Sequence, residues 1–361
     1  MVSCSESFLV EIISTSSDDY LTRWFVYVSG ENVELAKAEV GALSRIISSK
    51  SKLNWIGRLG IIEDSTDVSE FVLERAALVQ KAGRILYEAE SSENLIDVIP
   101  PDFWREMIRR NDTFCVKTQS ISASTSLDVR LQIEQELGAH IKATTGAQVD
   151  LKNAKVQILV IVADTNLFVC KFNESKLRTD LRMRKPGKKS FFHPSMMNSS
   201  LARVMCNLVG LKPRNIVLDP FCGGGGILCE ASYIGAFAIG LDLNWSLLKG
   251  AKKNLEEIGS RYSVIQADAQ KIPISSVDYI VTDPPYGRSS STRGIKSSQL
   301  VEGLLKRIDD IIQARGERVC ICGSTEMNLP QLIADYGLHL RQDLKTRVHS
   351  GLVREIVTII L

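Results

Sequence analysis

The sequence predicts an α/β protein with a doubly wound, largely parallel sheet in its C-terminal half and an α+β region before it. Three observations predict this. The strand-like run Asn215-Ile216-Val217-Leu218 ends in Asp219 and turns through Gly223, Gly224, Gly225 and Gly226 into a helical stretch from Ile227 to Ala231. Two more apolar runs, Ala236 to Leu241 and Tyr262 to Gln266, lead to the carboxylates Asp242 and Asp268. A fourth, Asp278 to Thr282, runs into Asp283-Pro284-Pro285-Tyr286. Alternating strands and helices build a parallel sheet, and open α/β folds bind ligands beyond the carboxyl ends of their strands.

In chain order, Arg23 to Val28 reads as a strand, and Glu34 to Ile47 as an amphipathic helix with Leu35, Ala38, Ala42, Leu43 and Ile46 on its apolar stripe. Strands follow at Gly60 to Glu63, Arg84 to Ala89, Thr113 to Gln119, Lys155 to Ala163 and Leu167 to Asn173, with a helix from Ser126 through Ile141 between them. A basic segment comes next: Lys176, Arg178, Arg182, Arg184, Lys185, Lys188 and Lys189 stand against the single acid Asp180. Taken alone it is a solvated linker; between a binding unit and a catalytic one it can neutralise several phosphates. Pro186-Gly187 interrupts it, and a helical pattern then runs through Leu201, Val204, Met205 and Leu208. His193, just before that helix, is read as a capping or packing residue ahead of a role in shaping a pocket.

A chain of 361 residues accommodates two or three domains, and 44% hydrophobic with 24% charged residues is the balance of a soluble globular protein. The longest purely apolar stretch, Ile158 to Ala163, is far too short for a membrane span, and the N-terminus shows no basic region followed by an apolar core, so a cytoplasmic protein is expected. The net charge of +2 does not by itself announce a nucleic-acid partner. The eight cysteines, at 4, 115, 170, 206, 222, 229, 320 and 322, form no CxxC pair and no Cys/His cluster, so buried thiols are expected and no metal. Cys320 and Cys322 alternate onto one face of a strand.

The glycine loop lets a ligand approach the backbone at a helix start. Asp219 beside it repels a pyrophosphate and favours a ligand carrying positive charge. Asp242 is placed to accept from ribose hydroxyls, and Asp268 from an adenine amino group. The segment from Asp283 to Tyr286 suits a flat amino group: the aromatic face of Tyr286 stacks on a base, while the Asp283 carboxylate and the Pro284 carbonyl each accept one N–H of an exocyclic amine. Cys222 lies in the same loop and is assigned no catalytic role.

This order of motifs resembles the amino-methylating branch of the class I, Rossmann-like S-adenosylmethionine-dependent methyltransferases, over about residues 190 to 361. The resemblance implies S-adenosylmethionine as cofactor. It implies Asp219, Phe221, Gly223, Gly225, Asp242 and Asp268 as its binding set, and Asp283, Pro284 and Tyr286 as catalytic residues. Arg288 is read as solvent-exposed, with a phosphate contact as its alternative.

A second resemblance covers the first half. Thr113 to Gln119, the helix after it, and Val149-Asp150-Leu151-Lys152-Asn153-Ala154-Lys155-Val156 look like a THUMP domain of RNA-modifying enzymes. Val26-Tyr27-Val28-Ser29-Gly30 and Leu35-Ala36-Lys37-Ala38-Glu39-Val40 resemble the ferredoxin-like unit that accompanies it. The expected organisation is 1–65 ferredoxin-like, 66–175 THUMP, 176–192 basic linker and 193–361 methyltransferase. Together the parts resemble the tRNA guanine-N2 methyltransferases, most closely the archaeal enzymes acting at tRNA position 10 and next those acting at position 6. That implies tRNA as partner, gives one or two methyls per amine, and leaves open a small activator subunit. The rival readings are a DNA adenine-N6 methyltransferase and a non-catalytic RNA-binding subunit; the first would carry a base-reading module, and the second would have lost glycines or acids that are all present here.

Overall fold

The computed structural model describes residues 22–361 apart from 92, 122–124, 286–295 and 350. The N-terminal half is one eight-stranded sheet built from β1 (Thr22–Val28), β2 (Lys52–Ile56), β3 (Leu59–Asp64), β4 (Val79–Glu90), β5 (Thr113–Ser120), β6 (Gln148–Val149), β7 (Val156–Val162) and β8 (Asn166–Glu174). Its order is β2-β3-β1-β4-β8-β7-β5-β6, so ladder hydrogen bonds run unbroken across the 65/66 boundary expected from the sequence. In β1, Val26 and Val28 point to one face and Phe25 and Tyr27 to the other, and all four are buried, as befits a central strand covered on both sides.

Helices α1 (Val33–Ile47) and α2 (Ser69–Arg75) cover one end of this sheet. The short α3 (Leu95–Val98) and α4 (Pro101–Met107), with the long α5 (Leu127–Thr145), cover the other. Asn32 caps α1 by accepting the Leu35 N–H at 3.1 Å, and Ser126 caps α5 by accepting that of Val129 at 3.3 Å. Helix α5 stops at Gly146, whose φ of 74° is the left-handed turn that other residues resist.

The basic segment expected as a linker holds helix α6 (Leu177–Met183), with Leu177 and Leu181 buried in the core of the C-terminal half. That half continues through α7 (Ser199–Leu208), β9 (Ile216–Asp219), α8 (Gly226–Ile234), β10 (Phe237–Asp242), α9 (Trp245–Ile258), β11 (Tyr262–Gln266) and β12 (Tyr279–Thr282). It ends with α10 (Ser297–Leu305), α11 (Ile308–Ile311), β13 (Glu317–Ser324), α12 (Leu329–Asp335), β14 (His339–His349) and β15 (Leu352–Ile360). The seven-stranded order is β11-β10-β9-β12-β13-β15-β14; β15 runs antiparallel to its neighbours and the other pairings are parallel. Order reverses beside β9, which makes the carboxyl ends of β9, β10 and β12 the expected ligand edge. Apolar cores fill both faces of the sheet.

A buried polar junction joins the halves. Asn207 on α7 donates to Glu39 Oε1 on α1 at 2.7 Å and to the Arg75 carbonyl at 2.9 Å, and accepts from Arg75 Nε at 2.7 Å. Glu39 also takes the N–H groups of Ala77 and Leu78, while Arg75 reaches the Leu211 carbonyl. Burial pushes the Glu39 carboxyl up and the Arg75 guanidinium down to about 10, so these hydrogen bonds offset the cost of bringing charges out of water.

Candidate active site

Asp219 closes β9, Asp242 closes β10, and Asp283 directly follows β12, which brings three carboxylates to one sheet edge. Asp219 is the most deeply placed, 2% exposed. Its Oδ1 accepts from the Thr282 hydroxyl at 2.6 Å and from the Phe221 N–H at 3.2 Å. Burial pushes its carboxyl up to about 7 against those two donors, and the nearby Asp283 and Asp242 push the same way. The edge is thus strongly acidic and attracts a cationic group.

The glycine loop sits between Asp219 and the start of α8. Gly223 and Gly225 adopt φ of 50° and 81°, which fold the chain back on itself so that Gly225 N–H reaches the Cys222 carbonyl at 2.8 Å. The glycines serve different ends. A Cβ on Gly224 would come 2.7 Å from Met196 Sδ and one on Gly225 would come 3.1 Å from Ala251 Cβ, so these two are glycine for packing. A Cβ on Gly223 would meet nothing within 4 Å. Its open face leaves room for a ligand to touch the backbone.

Asp242 is tied into the same loop, accepting from Gly223 N–H at 2.9 Å through Oδ2 and from Asn244 N–H at 2.7 Å through Oδ1. Asp268, half-buried after β11, accepts from Gln270 N–H at 2.9 Å in a turn. Asp283 Oδ2 lies 3.5 Å from Arg354 Nη2 of β15, and the buried Cys322 thiol of β13 stands near the same carboxylate. Pro284 is buried behind it. Tyr286 and Arg288 lie outside the described residues. Cys222 is buried and its thiol is pushed well above the usual range, which suits a packing role and no nucleophilic one. Cys320 and Cys322 are buried together on one face of β13, as their alternation implies.

His193 is half-buried and its Nδ1 is engaged locally, 2.7 Å from Ser195 Oγ, so it holds the turn before α7. Asn254 went unnoticed in the sequence. Buried on α9, it donates to the carbonyls of Gly224 and Phe191, both at 3.1 Å, and accepts from Phe191 N–H at 2.9 Å. The Phe191 ring in turn lies against Gly250, where a Cβ would come within 2.2 Å of it. The available signal was an asparagine on the inward stripe with Leu247, Gly250, Ala251 and Ile258.

The basic segment divides by direction. Arg184 turns inward to Glu230, 3.7 Å away, which is fully buried on α8 and also pairs with Arg203 at 3.0 Å. Lys176, Arg182, Lys185 and Lys188 remain exposed and available to phosphates. A cleft of about 200 Å3 on the opposite edge of the sheet is lined by Arg45, Lys212, Arg315 and Arg318. Glu317 and Asp309 pair Arg45 and Arg315, and Arg318 lies over the Tyr279 ring, so the cleft is an internally balanced junction. Among the described residues no His/Cys/Asp/Glu group is placed to hold a metal, and no helix is long and apolar enough to cross a membrane.

Residues 186–356 match the family profile of the RMKL-like methyltransferase domain, and residues 90–170 match that of the THUMP domain. The tRNA (guanine(10)-N2)-dimethyltransferase of Methanocaldococcus jannaschii is 31% identical over 356 residues, covering 91% of this chain and 97% of that protein. That of Methanothermobacter thermautotrophicus is 30% identical over 337 residues, covering 92% and 97%. The crystal structure of TrmN from Thermus thermophilus shares the fold, with a TM-score of 0.53 at 19% identity over 94% of this chain and 99% of that one.

Proposed function

This chain belongs to the family of THUMP-bearing tRNA guanine-N2 methyltransferases, and we propose that it methylates the exocyclic N2 amine of guanosine 10 in tRNA, in the cytoplasm, with S-adenosylmethionine as donor and both mono- and dimethylated products. The observation that carries this reading is the gathering of Asp219, Asp242 and Asp283 at one sheet edge, with Asp242 bonded to Gly223, which has open space on its Cβ side. The cofactor, when bound, supplies a methyl group already activated on a sulfonium. Gly223 and Gly225 with Phe221 and Asp219 would hold its methionine part, Asp242 its ribose and Asp268 its adenine.

The chain's own task is to present the amine. The lone pair on guanine N2 is delocalised into the ring, and in a duplex the amine faces its partner base, so the base must leave the stack. Asp283 accepts one amine N–H and the Pro284 carbonyl the other, while Tyr286 stacks on the base. Two acceptors on one nitrogen concentrate electron density there and aim it, and the proton released as the new N–C bond forms passes to the Asp283 carboxylate. Orientation of two bound groups supplies much of the rate.

The test is transfer of labelled methyl to unmodified tRNA transcripts, with nucleoside analysis. Labelled N2-methylguanosine and N2,N2-dimethylguanosine are expected with guanosine at position 10 and are lost when adenosine replaces it. Labelled N6-methyladenine, or unchanged labelling of the position-10 variant, would overturn the reading.

A further inference from the structure

Resting on the proposed amine methylation, we infer that Arg354 is a positioning residue for the reaction, holding the Asp283 carboxylate ionised and turned for its contact with the amine. The topology puts it there. Strand β15 runs antiparallel to β13, so its first residues, unlike those of the parallel strands, lie at the carboxyl edge. Arg354 pairs with Ser324 at the end of β13, and Ile356 with Cys322. Alternation along the strands sends Cys322, Ser324, Arg354 and Ile356 to one face, and Val281 with Asp283 stands on that same face; Glu355 points away, to Leu329 N–H and Lys345.

Arg354 Nη2 and Asp283 Oδ2 are 3.5 Å apart, and the two side chains are 15% and 14% exposed. That is long for a charge-assisted hydrogen bond and close enough for a partly shielded ion pair. Among the described residues, Arg354 from β15, the Cys322 thiol from β13 and Asp219 from β9 face Asp283, with Asp242 farther along the edge. The two acids favour a protonated Asp283, which would donate where the reaction needs an acceptor. Arg354 opposes them. A guanidinium suits this task because it stays charged at every working pH.

The experiment follows the single-turnover rate of methyl transfer to tRNA across pH 5.5 to 9 for the wild type, Arg354→Met and Arg354→Lys, with dissociation constants for S-adenosylhomocysteine and tRNA measured alongside. For Arg354→Met the rate at neutral pH falls about tenfold or more, and the acid limb of the profile moves up by roughly one pH unit, since loss of a neighbouring cation makes a carboxylate easier to protonate. Binding constants stay within about twofold, and Arg354→Lys keeps the acid limb near that of the wild type. A profile for Arg354→Met that superimposes on the wild type, or a rate loss without a moved limb, would overturn the inference. If Arg354→Met fails to fold, Arg354→Gln, which also removes the charge, decides: a moved limb with unchanged binding supports the inference, and an unmoved limb opposes it. A wild type that transfers no methyl to tRNA would instead overturn the proposed function.

Discussion

Replacing Asp219 by Asn removes an ionisation that the fold opposes. The carboxyl, ordinarily near 3.8, is pushed to about 7 by burial against only two hydrogen-bond donors and by two neighbouring acids. Its folded-state value lies above its unfolded value, so between these limits the folded protein holds a proton that the unfolded chain has lost. The contribution to stability is complete below pH 4 and is lost as the pH rises to about 7. At about 1.4 kcal/mol for each pH unit, the wild type loses about 3 kcal/mol from this group between pH 5 and pH 8. Asn retains an acceptor oxygen for Thr282 and Phe221 and does not titrate. Urea unfolding at pH 5, 6, 7 and 8 should therefore give the variant a shallower pH dependence, with the wild type falling behind by about 3 kcal/mol at the alkaline end. Contributions from Glu39 and Glu355, also raised by burial, are common to both proteins and cancel. The same ionisation should appear in binding, because an amino cation meets a carboxylate better than a carboxyl. Affinity for S-adenosylhomocysteine rises between pH 6 and 8 in the wild type and stays flat in Asp219→Asn. Parallel stability profiles would refute the reasoning.

Three further outcomes are expected. Gly223→Ala costs about 1 kcal/mol of stability for its left-handed backbone, and its methyl stands in the open cradle, so affinity for S-adenosylhomocysteine falls by about tenfold or more; unchanged affinity by calorimetry would move the cofactor off this loop. Asn207→Ala removes three hydrogen bonds at the buried junction and leaves Glu39 and Arg75 each one partner short, which costs about 3 kcal/mol in urea unfolding. Lys185→Glu with Lys188→Glu, on the exposed side of the basic segment, lowers the dependence of tRNA affinity on salt by about one logarithmic slope unit for each lost phosphate contact; an unaltered slope would place the phosphates elsewhere.

The features legible in the sequence were those whose parts are neighbours in the chain. A strand, an acid and four glycines in succession placed the loop between Asp219 and Gly226, and alternation placed Cys320 and Cys322 on one buried face. What escaped depends on groups far apart in sequence. Asn207 joins Glu39 and Arg75 across more than a hundred residues, and Arg354 reaches Asp283 only because the last strand reverses direction. Helix α6 was obscured because its charges outnumber the two leucines that bury it. Strand β14 is an edge strand whose outward residues Arg341, Asp343, Lys345 and Arg347 dilute its apolar signal; such charges also guard an open edge against other chains.

The central claim is that Asp283 is the acceptor that presents the amine, and Asp283→Asn tests it most directly because the replacement keeps the shape of the side chain and removes its charge. Methyl transfer to tRNA should fall by about a hundredfold or more, while affinity for S-adenosylhomocysteine and the urea midpoint stay close to those of the wild type. Turnover equal to that of the wild type would remove Asp283 from the mechanism.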